Sequence, residues 1–221
     1  MKEWFLSIFA LLSHPGQYLR NRTKVVGSKI IGAKGNDLAA KNSLIKKSEI
    51  KFAGKGNAIV TSGCEIYNST IFLRGDGHTL VIEEGVQLYN VRIKIIGAGN
   101  EVRIGKKTTF GSGSLVCGGN NTHIEIGENC MLAEGLDVWN TDTHSIIKDG
   151  KLCNPPENIT IGNHVWTGKD VAILKGVTVG DNAIVGMKSL VTKDIPSGCI
   201  AAGNPAKIIK DGVDWNRTEP R

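Results

Sequence analysis

The sequence predicts an all-β solenoid, a single stack of parallel coils, and three observations carry that prediction. Between Ile159 and Pro196 an aliphatic or near-aliphatic residue returns every sixth position, at Ile161, Thr167, Ile173, Val179, Val185 and Val191. A second ladder runs beside it at Val165, Val171, Val177, Ala183, Ser189 and Ile195, and glycine follows the first ladder at Gly162, Gly168, Gly180 and Gly186. Upstream, a slower repeat places Leu38, Val60, Ile82, Ile104 and Ile126 each 22 residues apart. Glycine-rich turns keep step with it at 32–36, 54–57, 75–78, 97–100 and 118–121. The third observation is compositional: 28 glycines and only 5% aromatics, as tight outer corners and small inner side chains require. A period of six fits neither a helix nor a lone strand. It fits a coil of three short sides, whose inward residues bury a continuous apolar column only when coils stack.

Taken in order, residues 1–25 form an N-terminal helical segment. Trp4 to Leu12 is apolar all round and is followed by His14, Pro15 and Gly16. Nine residues cannot span a bilayer, and LLSHPGQYL offers no small-residue cleavage site. The segment is expected to cap the solenoid, with contact to a partner subunit or to a membrane surface, Arg20, Arg22 and Lys24 beside it, as the alternatives. The solenoid occupies 26–200, with longer coils first and regular 18-residue coils last, the turns drawing Gly and Asn because such corners demand positive φ. The ladder breaks once, through the polar stretch 139–158 with Gly150, Pro155 and Pro156, which must leave the stack as a loop. Residues 201–221 are a C-terminal tail. One domain is expected, not two.

Five cysteines (64, 117, 130, 153, 199) show no CxxC spacing, and three of them sit among ladder positions. Small buried thiols in a reducing compartment are expected, rather than a disulfide framework or zinc site. The net charge of +6 is uneven: residues 1–56 hold eleven Lys or Arg against Glu3, Asp37 and Glu49, a balance of +8. Such an end suits an anionic neighbour, a membrane surface or acidic polysaccharide, or is a plain solubilising surface; nucleic acid is not expected. No phosphate-cradling loop or dinucleotide fingerprint occurs.

The hexapeptide ladder, with the tail IAAGNPAKIIK (200–210), resembles the hexapeptide-repeat acyltransferases. That resemblance implies a left-handed parallel β-helix, a hand that periodicity alone does not give. The pattern NTDTH (140–144) followed by IGNHVWTG (161–168) is most similar to capsular polysaccharide O-acetyltransferases, including those that modify sialic acid polymers. Maltose and galactoside acetyltransferases match more loosely.

His144, a bare loop histidine, gains weight from its place at the single register break, because loops on rigid scaffolds carry chemistry. The resemblance makes it the catalytic base. Acetyl-CoA is already activated, so an acceptor hydroxyl needs only its proton removed as it attacks the thioester, a task for a neutral imidazole. By the same resemblance an oxyanion donor is expected at the N–H of Gly168 or its neighbour. Trp166 borders the acetyl and pantetheine site, with subunit packing as its other reading. Coenzyme contacts fall on Gly168, Lys169, Gly186, Met187, Thr192 and Lys193, then on Ala206, Lys207 and Lys210, the lysines suiting phosphates. The asparagine that galactoside-type enzymes place in the acceptor pocket falls near 111–113, which holds Gly, Ser and Gly here; Asn140 and Asp142 are the candidates to replace it, orienting His144 or the acceptor. His78, His123 and His164 read as structural or incidental, and no second histidine is spaced to share a metal with His144. Cys153 is the one conceivable covalent nucleophile, but direct transfer needs none.

The expected function is O-acetyl transfer from acetyl-CoA to a sugar of a capsular, O-antigen or exopolysaccharide. The expected assembly is a homotrimer with sites between subunits, located in the cytoplasm or at the inner membrane face. N-acetylation of a nucleotide-linked amino sugar and a non-catalytic scaffold are the rivals.

Overall fold

The computed structural model describes residues 22–218, and among them every regular element is a β-strand. The expected N-terminal helix therefore lies almost wholly outside the described residues, and the strand ladder is already running at Lys24–Val26. The chain winds through three faces in rotation. The first face has ten strands, from Lys24–Val26 through Trp166–Thr167 to Ala206–Lys210. The second has eight, from Lys29–Ile31 through Leu136–Trp139 to Leu190–Val191, and the third has seven, from Asp37–Lys41 to Thr178–Val179. Successive coils pair in parallel, while Ala206–Lys210 turns back antiparallel on Ile200–Gly203.

Both predicted ladders of the C-terminal coils point inward: all twelve residues, Ile161 to Val191 and Val165 to Ile195, are buried. Each large aliphatic in this column contributes about 1.5–3 kcal/mol by leaving water, but only while a coil lies above and below it. Cys64, Cys117 and Cys130 are buried in the same column, and burial pushes the Cys117 thiol up to about 11. They are small hydrophobes, not reactive groups.

The slower repeat needs one correction. Ile82, Ile104 and Ile126 are true ladder partners, but Leu38 pairs with Ile59 and not with Val60, whose side chain points outward. Coils there advance by 21 residues, and 22-residue coils begin with Glu65 opposite Gln87. The added length goes into the second face, whose strands Thr70–Asp76, Val91–Ala98 and Gly113–Asn120 are the longest.

The glycine-rich turns form the corner between the second and third faces; Asn121 there has the expected positive φ, while other asparagines of these turns serve another purpose. Gly77 and Gly99 take up the left-handed conformation there. Asn36, Asn57, His78 and Asn100 instead turn inward as a stacked column. The Asn36 Oδ1 accepts the Asn57 N–H (3.0 Å), the Asn57 Oδ1 accepts the His78 N–H (2.9 Å), and the His78 Nδ1 accepts the Asn100 N–H (3.2 Å). The Asn100 Oδ1 then accepts the Thr122 N–H at 3.0 Å. Backbone groups that a wide turn would leave unpaired are satisfied from one coil to the next. His78 is thus structural, as its sequence context implied.

Candidate active site

The loop leaves the stack at the end of Leu136–Trp139, on the second face, and rejoins it at Ile159–Ile161, on the third. It springs from the corner where the asparagine column ends. Asn140, its first residue, is wholly buried and closes that column: its Oδ1 accepts the Gly118 N–H at 2.7 Å, and its Nδ2 donates to Thr122 Oγ1 at 3.0 Å. This differs from the expected pocket role. The Asn140 amide is spent inside the solenoid and presents nothing to an acceptor.

Asp142 stands outside, in an ion pair with Lys175, which occupies the same corner one coil further on. The Lys175 ammonium, and then the Asn154 amide, hold the Asp142 carboxyl below its ordinary range. Asn154 ties the loop together. Its Nδ2 donates to Asp142 Oδ2 (2.8 Å) and to the His144 carbonyl (2.9 Å), while its Oδ1 accepts the Ile146 N–H at 2.6 Å. The backbone on both sides of His144 is therefore fixed, and the imidazole is left exposed at the surface. Among the described residues Asp142 is linked to His144 only through Asn154, whose amide bonds both. Sequence reasoning missed Asn154; the available signal was an asparagine beside the rigid pair Pro155–Pro156, since loop asparagines readily bond nearby main chain.

Trp166 lies on the first face, opposite the corner that bears the loop, with its ring outward beside the buried Thr167. Next to it runs an outward row that holds Tyr89 and then Gly111, Ala133, Gly168, Gly186 and Ala202, one per coil. From Gly111 on, these residues are small because the next coil lies close against them. A Cβ on Gly168 would stand 2.7 Å from the Met187 nitrogen, and one on Gly186 would stand 2.8 Å from the Ala202 Cβ. The row is thus kept small by the closeness of successive coils. Lys169 and the exposed Met187 border it at the corner between the first and second faces, and Lys207 sits opposite Ala202 in the closing hairpin with Ala206 and Lys210.

Gly168 itself is no oxyanion donor: its N–H is taken by the Val185 carbonyl at 2.7 Å, as stacking of the coils requires. Thr192 and Lys193 fall elsewhere than the other expected coenzyme residues. They follow Leu190–Val191 on the corner between the second and third faces, the side of the His144 loop. The expected site residues thus fall on two sides of the prism. His144, Asp142, Thr192 and Lys193 lie on one side, and Trp166, Gly168, Gly186 and the tail lysines on the other.

The tail also contributes a strap that the sequence did not announce. Trp215 is buried, stacks on His164 (centroids 4.1 Å, 5° between planes) and donates its Nε1–H to the His164 carbonyl at 2.6 Å. Its ring is also 6.1 Å from that of Trp166. Arg217 then donates to the Cys130 carbonyl at 2.8 Å and the Lys107 carbonyl at 3.2 Å, pinning the strap across three coils. His164 Nε2 lies 2.8 Å from the Trp215 carbonyl, so its role is to seat the strap. Among the described residues no group of three or more His, Cys, Asp or Glu side chains could hold a metal ion.

Residues 158–193 match the family model for the bacterial transferase hexapeptide, six repeats. A polysialic acid O-acetyltransferase of Neisseria meningitidis is 35% identical over 179 residues, 79% of this chain and 82% of that protein. A polysialic acid O-acetyltransferase of Escherichia coli O1:K1 is 40% identical over 123 residues; that match spans 55% of this chain but only 40% of the relative's length. The crystal structure of the polySia-specific acetyltransferase NeuO superposes with a TM-score of 0.76 at 33% identity, covering 90% of this chain and 89% of that one.

Proposed function

The chain belongs to the hexapeptide-repeat acyltransferases, which makes its solenoid a left-handed parallel β-helix, and from that premise we propose that it transfers acetyl from acetyl-CoA to a sugar hydroxyl of an acidic capsular or related surface polysaccharide. The observation that carries this reading is the match to a polySia-specific acetyltransferase over nine-tenths of the chain. The site chemistry agrees with it. His144 takes the proton of the acceptor hydroxyl as the oxygen attacks the thioester carbonyl. The new C–O bond forms, the C–S bond breaks, and the imidazolium returns its proton to the departing thiolate. The oxyanion formed in between needs a backbone donor. With the Gly168 N–H committed to Val185, the neighbouring Lys169 N–H takes that role. The pantetheine arm runs along the outward row at Gly168 and Gly186, beside Trp166, and Lys207 and Lys210 meet the phosphates.

A base on one side of the prism and a coenzyme row on the other complete each other only across protomers. This is the physical reason to propose a homotrimer, with each loop reaching a neighbour's first face. A non-catalytic scaffold would not call for a clamped loop histidine.

The test is mass-spectrometric detection of acetyl transfer from acetyl-CoA to a panel of sugars and polysaccharides, with amino sugars included. Transfer to a sialic acid polymer that disappears in His144→Ala is the expected result. Transfer only to an amino-sugar nitrogen, or turnover unchanged in folded His144→Ala, would overturn it.

A further inference from the structure

On the second face, the long strands Glu49–Ala53, Thr70–Asp76 and Val91–Ala98 lie side by side. Their register places Lys51, Phe72 and Lys94 in one outward row, Arg92 beside Lys94 in the row of Thr70, and Arg74 in the row of Ile96. Four cations thus surround one aromatic ring, and the Lys51 ammonium lies 5.4 Å from the Phe72 centroid. None of the four forms an ion pair among the described residues. The nearest outward acids are Glu49 and Asp76, and Asp76 is engaged by the Lys55 N–H at 2.7 Å. Arg92 and Lys94 are two residues apart, about 7 Å, and Lys51 and Lys94 two coils apart, about 10 Å; such like charges repel one another, and an anion laid across them removes that cost.

The row does not stop at Lys94. By register it continues through Val116, which is buried, to the partly exposed Trp139, whose Nε1–H is donated to Ser114 Oγ at 2.7 Å and whose next residue, Asn140, opens the loop that carries His144. Phe72 and Trp139 are three coil spacings apart, about 14 Å, the reach of a few sugar units. A face bearing four unpaired cations is unsuited to the dry centre of an interface, where each charge would lose its water.

We infer that this face is a docking track for an acidic polysaccharide, separate from the reacting groups, which guides successive units of one chain toward the loop. The polymer's carboxylates meet Lys51, Arg74, Arg92 and Lys94, and the apolar face of a sugar ring lies on Phe72 as others do on Trp139. The inference rests on the proposed function for the identity of the polymer and deepens it by locating where the polymer binds. It also resolves part of the basic N-terminal excess: of that excess, Lys51 belongs to the track, while Lys46 is on the first face against Tyr67.

The test is direct binding, without acetyl-CoA, of three probes to the full chain: sialic acid polymer, polygalacturonate and dextran. Calorimetry at low and physiological salt gives the affinity. Sialic acid polymer should bind, more weakly as salt rises, and dextran should not. Arg74→Glu with Arg92→Glu should weaken that binding at least about tenfold, with the unfolding midpoint unchanged. Phe72→Ala should weaken it at either salt concentration, and Lys148→Glu, on the loop tip, should not. Binding of the polymer to the double variant as to the wild type overturns the track, as does binding of dextran equal to that of the acidic polymers. Loss of acetyl transfer with track binding intact instead counts against the proposed function and leaves the track standing.

Discussion

Asn154 donates its side-chain amide to the main-chain carbonyl of His144 at 2.9 Å, and with the same nitrogen reaches Asp142 Oδ2 at 2.8 Å. A residue ten positions downstream therefore fixes the backbone from which the His144 imidazole projects. Asn154→Ala breaks all three loop bonds without altering the His144 side chain itself. Turnover should fall at least about tenfold, because misplacement by an ångström is costly even when every reacting group is present. The KM for acetyl-CoA should hold, since the proposed coenzyme row lies on another face. A parallel rise in that KM would mean that the clamp supports the fold generally and not His144.

The ion pair between Asp142 and Lys175 anchors this loop to the coil beyond it. The Asp142 carboxyl is depressed in the folded protein, first by its bond to Lys175 and then by Asn154. A depressed carboxyl adds stability that is present above its unfolded value, near 3.8, and is lost as pH falls through the lower folded value. Wild type should therefore resist loop opening better than Asp142→Asn at neutral pH, and the two should converge once both carry an uncharged side chain in strong acid. Hydrogen exchange of the Ile146 N–H as a function of pH measures it. A difference that widens on acidification would contradict the assignment.

How much of this was legible beforehand differs from part to part for physical reasons. The six-residue ladder from Ile161 to Val191 could be read because each inward position follows the last at a fixed interval. Val60 was misplaced because Ala58, Ile59 and Val60 are all apolar, so composition does not tell which one points inward. Only pairing with Leu38 and Leu80 selects Ile59. The asparagine column was half seen: its turns were found, but its bonds join coils 21 or 22 residues apart and exist only once they stack. Asn140 and Asp142 looked equivalent in NTDTH, yet one closes the buried column and the other meets Lys175 outside. The contact of Trp215 with His164 follows no repeat and left no trace in the pattern.

Thr167 occupies a ladder position otherwise held by Ile or Val, and its hydroxyl is buried without a hydrogen-bond partner. Valine has nearly the same shape and removes the unsatisfied oxygen. Thr167→Val should therefore stabilise the solenoid by about 1–2 kcal/mol, read as a higher denaturation midpoint with an unchanged slope. Destabilisation would show that the hydroxyl has a partner in solution, such as a buried water.

The exposed thiol of Cys153 accompanies the loop but takes no part in the bonds that hold His144. Direct transfer predicts that Cys153→Ser keeps near wild-type turnover. Intact-protein mass spectrometry should find no acetylated enzyme when acetyl-CoA is supplied and the acceptor withheld. Stoichiometric acetylation of Cys153 under those conditions would replace the ternary mechanism with a two-step one.

The Trp215 strap bears on the other side of the prism. Its ring is sandwiched between the His164 imidazole and the Arg217 guanidinium, 5.9 Å from its centroid, and it leans on Trp166. Coils of a solenoid depend mainly on their neighbours, so removing a surface strap should free the tail without unfolding the stack. Trp215→Ala should expose the peptide bond after Lys210 to trypsin and raise the KM for acetyl-CoA several-fold, because Trp166 loses the wall that holds its ring. The first-order effect should fall on KM, with kcat less affected, since His144 belongs to a separate face. Trp215→Phe keeps the stacking but loses the Nε1–H bond to the His164 carbonyl. Partial recovery of KM in that variant would assign the effect to ring packing, the term with the larger buried area. Unaltered KM in Trp215→Ala, with the tail demonstrably released, would remove Trp215 from the coenzyme site and leave it a clasp for the last coils alone.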